Sequence, residues 1–261
     1  MPDRGVPTTH IFKPQFADSG AFPESDIVEL FCQNVVVAAG LPAAHTTLWH
    51  SQDGSIRAIV SKRYDRRIQK SGIVVRLHQE DLCQAMSISP SKKYQRQDGG
   101  PGIAQIGRLL TTRLSPTDAA PVAQQFLAAL TANAALLNTD AHAKNYSIML
   151  SGPFATLAPM YDVLSIGAFL EPGAHPLFPM RLGDTYDLQQ VFPETLVTRA
   201  RHLAIPSDRA EDIIDDTLIK LDAALESTAQ QLQAFDHDGI ITRTVEAIHA
   251  HSSLLAAIHE S

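Results

Sequence analysis

Cysteine is scarce: the 261 residues contain only Cys32 and Cys83. Two cysteines exclude a disulfide-stapled scaffold. Each sits in an apolar-patterned segment, so both read as reduced, buried thiols. No apolar run reaches the ~18 residues that span a bilayer, so no transmembrane helix is expected. The first residues, Met1-Pro2-Asp3-Arg4-Gly5, lack the basic-then-apolar layout of a signal peptide. These absences together point to a cytoplasmic protein with no membrane association. Positive charge is in deficit, with a net charge of −7 and a pI near 5.8. That balance argues against a general nucleic-acid coat, a local basic patch excepted. There is no internal repeat and no low-complexity segment. What is present is 44% hydrophobic and 19% charged residues, enough for a sizeable core in one two-lobed domain or two small ones.

The first 78 residues read as a small α+β lobe. Residues 8–13 suit a short strand ended by Pro14, which has no N–H for a ladder. Residues 24–39 suit a helix capped by Ser25 and closed by Gly40 and Pro42, with Ile27, Leu30, Phe31, Val35 and Val37 on its apolar side. Residues 46–49 and 56–64 flank Gln52-Asp53-Gly54, a hairpin signal, and 73–77 adds a strand. From residue 79 to 261 the pattern turns helical. Helices are expected over 80–88, 103–112 and 121–137, the last with proline in its first turn, and over most of the chain after Pro193. Residues 92–102 read as a loop, and 146–162 as a hairpin.

Chemistry concentrates in Asn138-Thr139-Asp140-Ala141-His142-Ala143-Lys144-Asn145. Asp162 follows 162 − 140 = 22 positions after Asp140. Asp140, Asn145 and Asp162 are oxygen donors of the kind Mg²⁺ takes, with waters and phosphates completing its shell. Asp140 can also accept or orient the proton of an attacking hydroxyl. His142 and Lys144 lie where loop groups meet phosphate oxygens. No second histidine stands at a ligand spacing, so a zinc or iron hydrolase is disfavoured. Lys13 on the first strand and Glu29 on the first helix form the pair that aims an ammonium at nucleotide phosphates, although each alone reads as a solvated charge. Residues 61–67 join the two halves. Their backbone suits an adenine edge and Asp65 a ribose, while Arg66 and Arg67 read as an exposed strand end. Residues 91–96 read as a solvated basic loop that, facing the site, would hold an acidic substrate.

Five stretches resemble the C-terminal kinase region of the HipA family, the serine/threonine-kinase toxins of bacterial toxin–antitoxin modules. They are Ile11-Phe12-Lys13-Pro14, residues 61–67, residues 76–84, Lys93-Tyr94 through Asp98-Gly99-Gly100-Pro101-Gly102, and residues 138–145 with Tyr161-Asp162. The resemblance implies a bilobal kinase-like fold binding ATP and Mg²⁺. It makes Asp140 the catalytic acid/base and gives Asn145 and Asp162 to Mg²⁺. Lys13 would contact phosphates with Glu29 as its partner, and Lys62, Arg63 and Tyr64 would form the adenine hinge. His142, Ala143, Lys144, Asn145 and Tyr161 would complete the nucleotide site. Implied partners are a protein substrate such as an aminoacyl-tRNA synthetase and a HipB-like helix-turn-helix antitoxin, through which alone DNA is met. The family's Gly-rich, serine-containing phosphate loop is not spelled by the twelve residues before Lys13, so the small lobe is expected to be shortened. Two other functions fit the same residues: a catalytically silent pseudokinase that binds the antitoxin, and a small-molecule phosphotransferase.

Overall fold

The computed structural model describes residues 7–16 and 22–260, so the chain start, where the phosphate loop was sought, lies partly outside the described residues. Strand β1 (His10–Phe16) leads into helix α1 (Ser25–Ala38), then β2 (Thr46–His50) and β3 (Ile56–Lys62). These strands form an antiparallel sheet of order β1-β3-β2, with Lys13 opposite Ile59. The strand runs through Pro14 instead of stopping there, because an edge strand tolerates a residue without an N–H. Gly54, at φ 71°, turns the β2–β3 hairpin.

Helix α1 differs from its sequence reading at both ends. Ser25 is its first helical residue and not its cap. Glu24 takes that place with φ 59° and no side-chain capping bond. Asp26 instead anchors the first turn through Arg57, whose Nη2 donates to it at 2.7 Å. Val37, expected on the apolar side, is 49% exposed, while Val36 is buried.

Strands β4 (Arg66–Ile68) and β5 (Val74–Arg76) form the hairpin that links the halves. The helix expected over 80–88 is cut to a single turn, α2 (Leu82–Ala85), because Glu80 and Asp81 end strand β6 (His78–Asp81). Asp81 caps that turn, accepting from Gln84 N–H at 2.8 Å while Gln84 Oε1 accepts from Asp81 N–H at 2.9 Å. Residues 78–81 are drawn into a ladder with residues 147–150, a long-range pairing that local propensity cannot express. The expected loop at 92–102 holds a further single turn, α3 (Gln95–Asp98).

Helix α4 (Ile103–Arg113) is followed by α5 (Pro116–Ala135). The latter starts before the expected Pro121. Ser115 supplies the cap, accepting from Asp118 N–H at 3.3 Å, and Pro116 takes the first turn. Pro121 then sits inside the helix. Strands β7 (Ser147–Ser151) and β8 (Phe154–Leu157) complete the sheet β6-β7-β8, and β9 (Leu177–Leu182) pairs with β10 (Thr185–Asp187). Four helices finish the chain: α6 (Pro193–Ala200), α7 (Ser207–Gln231), α8 (Ile240–His251) and α9 (Ser253–Glu260).

Helix α1 packs on α7 and α8, and α5 packs on α7. Phe31, Phe126, Leu130, Leu218 and Leu221 therefore lie in one continuous apolar core that joins the small sheet's helix to the helical body. Cys32 and Cys83 are both buried and unpaired. Among the described residues no helix is long and apolar enough to cross a membrane.

Candidate active site

The polar loop after α5 is built on two buried asparagines. Asn138 donates to Asn133 Oδ1 at 2.8 Å and to the Asp162 carbonyl at 3.3 Å. Its own Oδ1 accepts from Asp140 N–H at 3.1 Å. Asn133 in turn donates to Tyr146 Oη at 3.1 Å and to the Ala129 carbonyl at 3.0 Å. A short bond from His142 N–H to the Asp140 carbonyl, 2.7 Å, tightens the loop, and Ala141 and Ala143 are buried beneath it. The two asparagine side chains thus tie the loop to helix α5 and to the Asp162 backbone. The Asp140 side chain remains 57% exposed and aimed outward. Sequence reasoning assigned Asn138 no role. Its position, directly after a long apolar helix and two residues before the acid, was the available signal.

Asp162 is placed from the other side. Ala44 N–H donates to the Met160 carbonyl and Met160 N–H to the Pro42 carbonyl, both at 2.8 Å, and Gln33 Nε2 donates to the same Met160 carbonyl at 2.9 Å. Tyr161 Oη donates to the Lys144 carbonyl at 2.7 Å and lies 2.7 Å from Ser147 Oγ. Between these anchors Asp162 adopts φ 55°, a left-handed conformation that a non-glycine residue holds only when its surroundings impose it.

Lys13 spans two carboxylates. Its Nζ donates to Glu29 Oε1 at 2.8 Å and also to Asp162 Oδ1. Burial pulls the Lys13 ammonium's pKa down, but the Glu29 and Asp162 charges outweigh it and the net shift is upward. Burial raises the Glu29 carboxyl, and Lys13 pulls it part of the way back. The strand lysine and the helix glutamate read from the sequence therefore meet, and the later acid joins them.

These groups open onto a cleft of about 340 Å³ between the small sheet and the β6–β7 strands. Lys13, Lys62, Arg63, Tyr64, Asp65, Lys144, Tyr161 and Asp162, all named from the sequence, line it. Glu29 stands behind Lys13. His142, Ala143 and Asn145 are buried under the loop and are not part of the cleft wall, and Asp140 stands beside it. The Asp65 carboxylate faces guanidinium groups: Arg63 donates to it at 2.9 and 2.8 Å and Arg66 at 2.6 Å. Burial pushes the Asp65 carboxyl up, and the two arginines override it, leaving the pKa low. Sequence reasoning gave no site role to Ile11, Gln79, Asp81 and Ser147, which share the cleft, as does Ser61 of the 61–67 segment. Asp81 accepts from Lys144 Nζ at 3.0 Å. The Tyr64 and Tyr161 rings, with centroids 5.8 Å apart, close one side. Burial drives the Tyr64 phenol up to about 12, so it stays a neutral donor. A larger groove of about 610 Å³, lined by Arg108, Leu109 and Arg113, lies elsewhere and contains none of these acids or lysines.

The donor set suits Mg²⁺ held jointly with phosphate oxygens. Asn145 is only 8% exposed, and its side-chain amide oxygen is a donor of the kind Mg²⁺ accepts. That amide and the Asp162 carboxylate are the oxygen donors a hard cation takes. No group of three or more His, Cys, Asp or Glu side chains among the described residues is arranged to hold a metal unaided. Such a cation would depend on phosphate for the rest of its shell. His142 is buried with Nδ1 unpartnered, and its Nε2 lies 3.8 Å from Asp140 Oδ1. Burial depresses its pKa and Asp140 counters only in part, so the ring is neutral near pH 7.

A family model described as the HipA-like C-terminal domain matches residues 3–225. Y4mE of Sinorhizobium fredii, a protein named as a kinase, is 34% identical over 233 residues, 88% of this chain and 53% of that protein. The serine/threonine-protein kinase toxin HipA of Shewanella oneidensis is 25% identical over 220 residues, 81% of this chain and 50% of that protein. The chain spans about half the length of these curated relatives. Among solved structures, Shewanella oneidensis HipA, in a complex with HipB and operator DNA, aligns with a TM-score of 0.73 at 21% identity, covering 97% of this chain and 61% of that one. The Helicobacter pylori proinflammatory kinase CtkA aligns with a TM-score of 0.59 at 12% identity, covering 97% and 92%. The α+β fold is therefore kinase-like.

Proposed function

From the premise that this chain belongs to the HipA-like C-terminal domain family, we propose that it is an ATP- and Mg²⁺-dependent protein serine/threonine kinase of a toxin–antitoxin system. The observation that carries this reading is the meeting of Lys13, Glu29 and Asp162 beside the Asp140 loop. Nucleotide with Mg²⁺ would supply the transferable phosphoryl group and the charge that neutralises its oxygens. The chain's own residues do the positioning. Asn145 and Asp162 hold the cation, and Lys13, released toward the phosphates, keeps Glu29 as its anchor. Asp140 orients the acceptor hydroxyl and takes its proton at the carboxylate. The Lys62–Tyr64 turn offers its backbone to the base, and Tyr161 and Lys144 complete the lining of the cleft.

A translation component such as an aminoacyl-tRNA synthetase is the proposed acceptor, and a HipB-like helix-turn-helix protein the proposed partner. The Shewanella oneidensis complex of HipA, HipB and operator DNA supports the partner. Asp140→Ala tests the chemistry. Labelled-phosphate transfer from ATP into lysate proteins should fall by roughly 10²–10⁴-fold, the range for removing a general base. Growth arrest on expression should vanish with it. Transfer unchanged by the substitution would remove Asp140 from the mechanism.

A further inference from the structure

The Asp140 carboxylate already carries a hydroxyl. Tyr94 donates its phenol O–H to Asp140 Oδ1 across 46 residues of sequence. Its ring packs edge-on to His142 with centroids 5.0 Å apart, and the Lys93 ammonium lies 4.9 Å over it. The backbone is pinned to the same loop, since Ala143 N–H donates to the Lys93 carbonyl at 3.3 Å. The Asp98 and Gly100 N–H groups return to the Tyr94 carbonyl at 3.2 and 3.0 Å. A Cβ on Gly100 would lie 2.3 Å from the Lys92 carbonyl oxygen, so only glycine lets the chain fold back this closely. Gln95 Oε1, accepting from Arg181 N–H at 2.7 Å, ties the segment to β9. What reads from sequence as a solvated loop is a fixed arm that delivers one phenol to one carboxylate. Burial and the Asp140 charge both push the Tyr94 pKa up, so the group stays a proton donor at neutral pH.

An acceptor hydroxyl must present its proton to Asp140, and the Tyr94 phenol makes that contact. We propose that Tyr94 is the acceptor-side selectivity residue: its hydroxyl holds the acceptor position on Asp140, yielding to a hydroxyl borne on a protein but not to water. The inference rests on the kinase reading above. A protein acceptor brings binding energy from contacts outside the site, and that energy can displace the phenol. Water brings none. It must break a charge-assisted hydrogen bond to form an equivalent one. Tyr94 thereby restrains wasteful hydrolysis of the nucleotide.

Release of inorganic phosphate from Mg·ATP by the full chain uses water as acceptor and needs no knowledge of the protein substrate. Tyr94→Phe keeps the ring against His142 and removes the O–H. Hydrolysis should rise about tenfold, the factor set by one hydrogen bond to a charged group. Adding Asp140→Ala should return it to background. Tyr94→Leu, which also removes the ring, should show at least the same rise. Hydrolysis unchanged or lower in Tyr94→Phe overturns the proposal. So does a displaced acid limb of the pH–rate profile with no higher plateau, which would make Tyr94 a positioning residue for Asp140. If calorimetry finds no binding of ATP with Mg²⁺ to the unaltered chain, the kinase reading fails, and this inference with it.

Discussion

Lys13 is half exposed, yet it is the cation between a largely covered glutamate and an aspartate held at positive φ. Replacing it with methionine separates its two duties. Phosphate transfer should fall by roughly 10²-fold or more, read by the same labelled-phosphate assay, because one preorganised charge facing the phosphates is lost. Stability should fall by only about 1 kcal/mol, since a partly solvated ion pair contributes little. The deficit should depend on pH in a stated direction. Burial raises the Glu29 pKa above its ordinary 4.5, and Lys13 is what lowers it. Without Lys13 the folded-state pKa rises further. The protonated form is then the one folding favours, so stability is retained below about 4.5 and lost as pH climbs through the folded value. The Tm gap between Lys13→Met and the parent should therefore widen from pH 4 to pH 7. A constant gap would mean that Lys13 does not hold the Glu29 charge.

Elements meet here with little tolerance. Helix α4 passes over the turn at residues 201–203 through Gly107. A Cβ there would lie 1.8 Å from the His202 carbonyl oxygen and 2.7 Å from its carbon. Backbone cannot rotate away as a side chain can, so Gly107→Ala must push the helix off the turn. The expected cost is about 3 kcal/mol, the upper part of the overpacking range. For a chain of this size that is a fall of roughly 6–12 °C in Tm by scanning calorimetry. An unchanged Tm would refute the close approach. The same scale explains where element boundaries were misread. Residues 80 and 81 belong to a strand because β7 offers them partners, and α5 begins at Pro116 because Ser115 caps it. The reading that started this helix at Pro121 passed over a local cap, whereas the β7 pairing is long-range and carries no local signal.

Across the whole molecule, α1 and the helical body share one core, and the two thiols sit inside it. Burial raises the Cys32 thiol to about 12 and also raises Cys83. Neither should react with an aromatic disulfide reagent in native buffer, and both should react when denaturant opens the fold in one transition. A thiol that reacts fast without unfolding would show that this core opens locally. By itself the sequence determined which donor groups stand at residues 138–145 and at 162, and the alternation of elements around them. Those follow from residue types a few positions apart, which local sterics and hydrogen bonding decide. Tertiary structure alone decided that Lys13 reaches Asp162, 149 positions away, and that Tyr94 reaches Asp140. It also turned Asp65 toward two arginines. Such meetings depend on how helices and sheets pack across the chain, and no local pattern carries the distance between two segments that only the common core brings together.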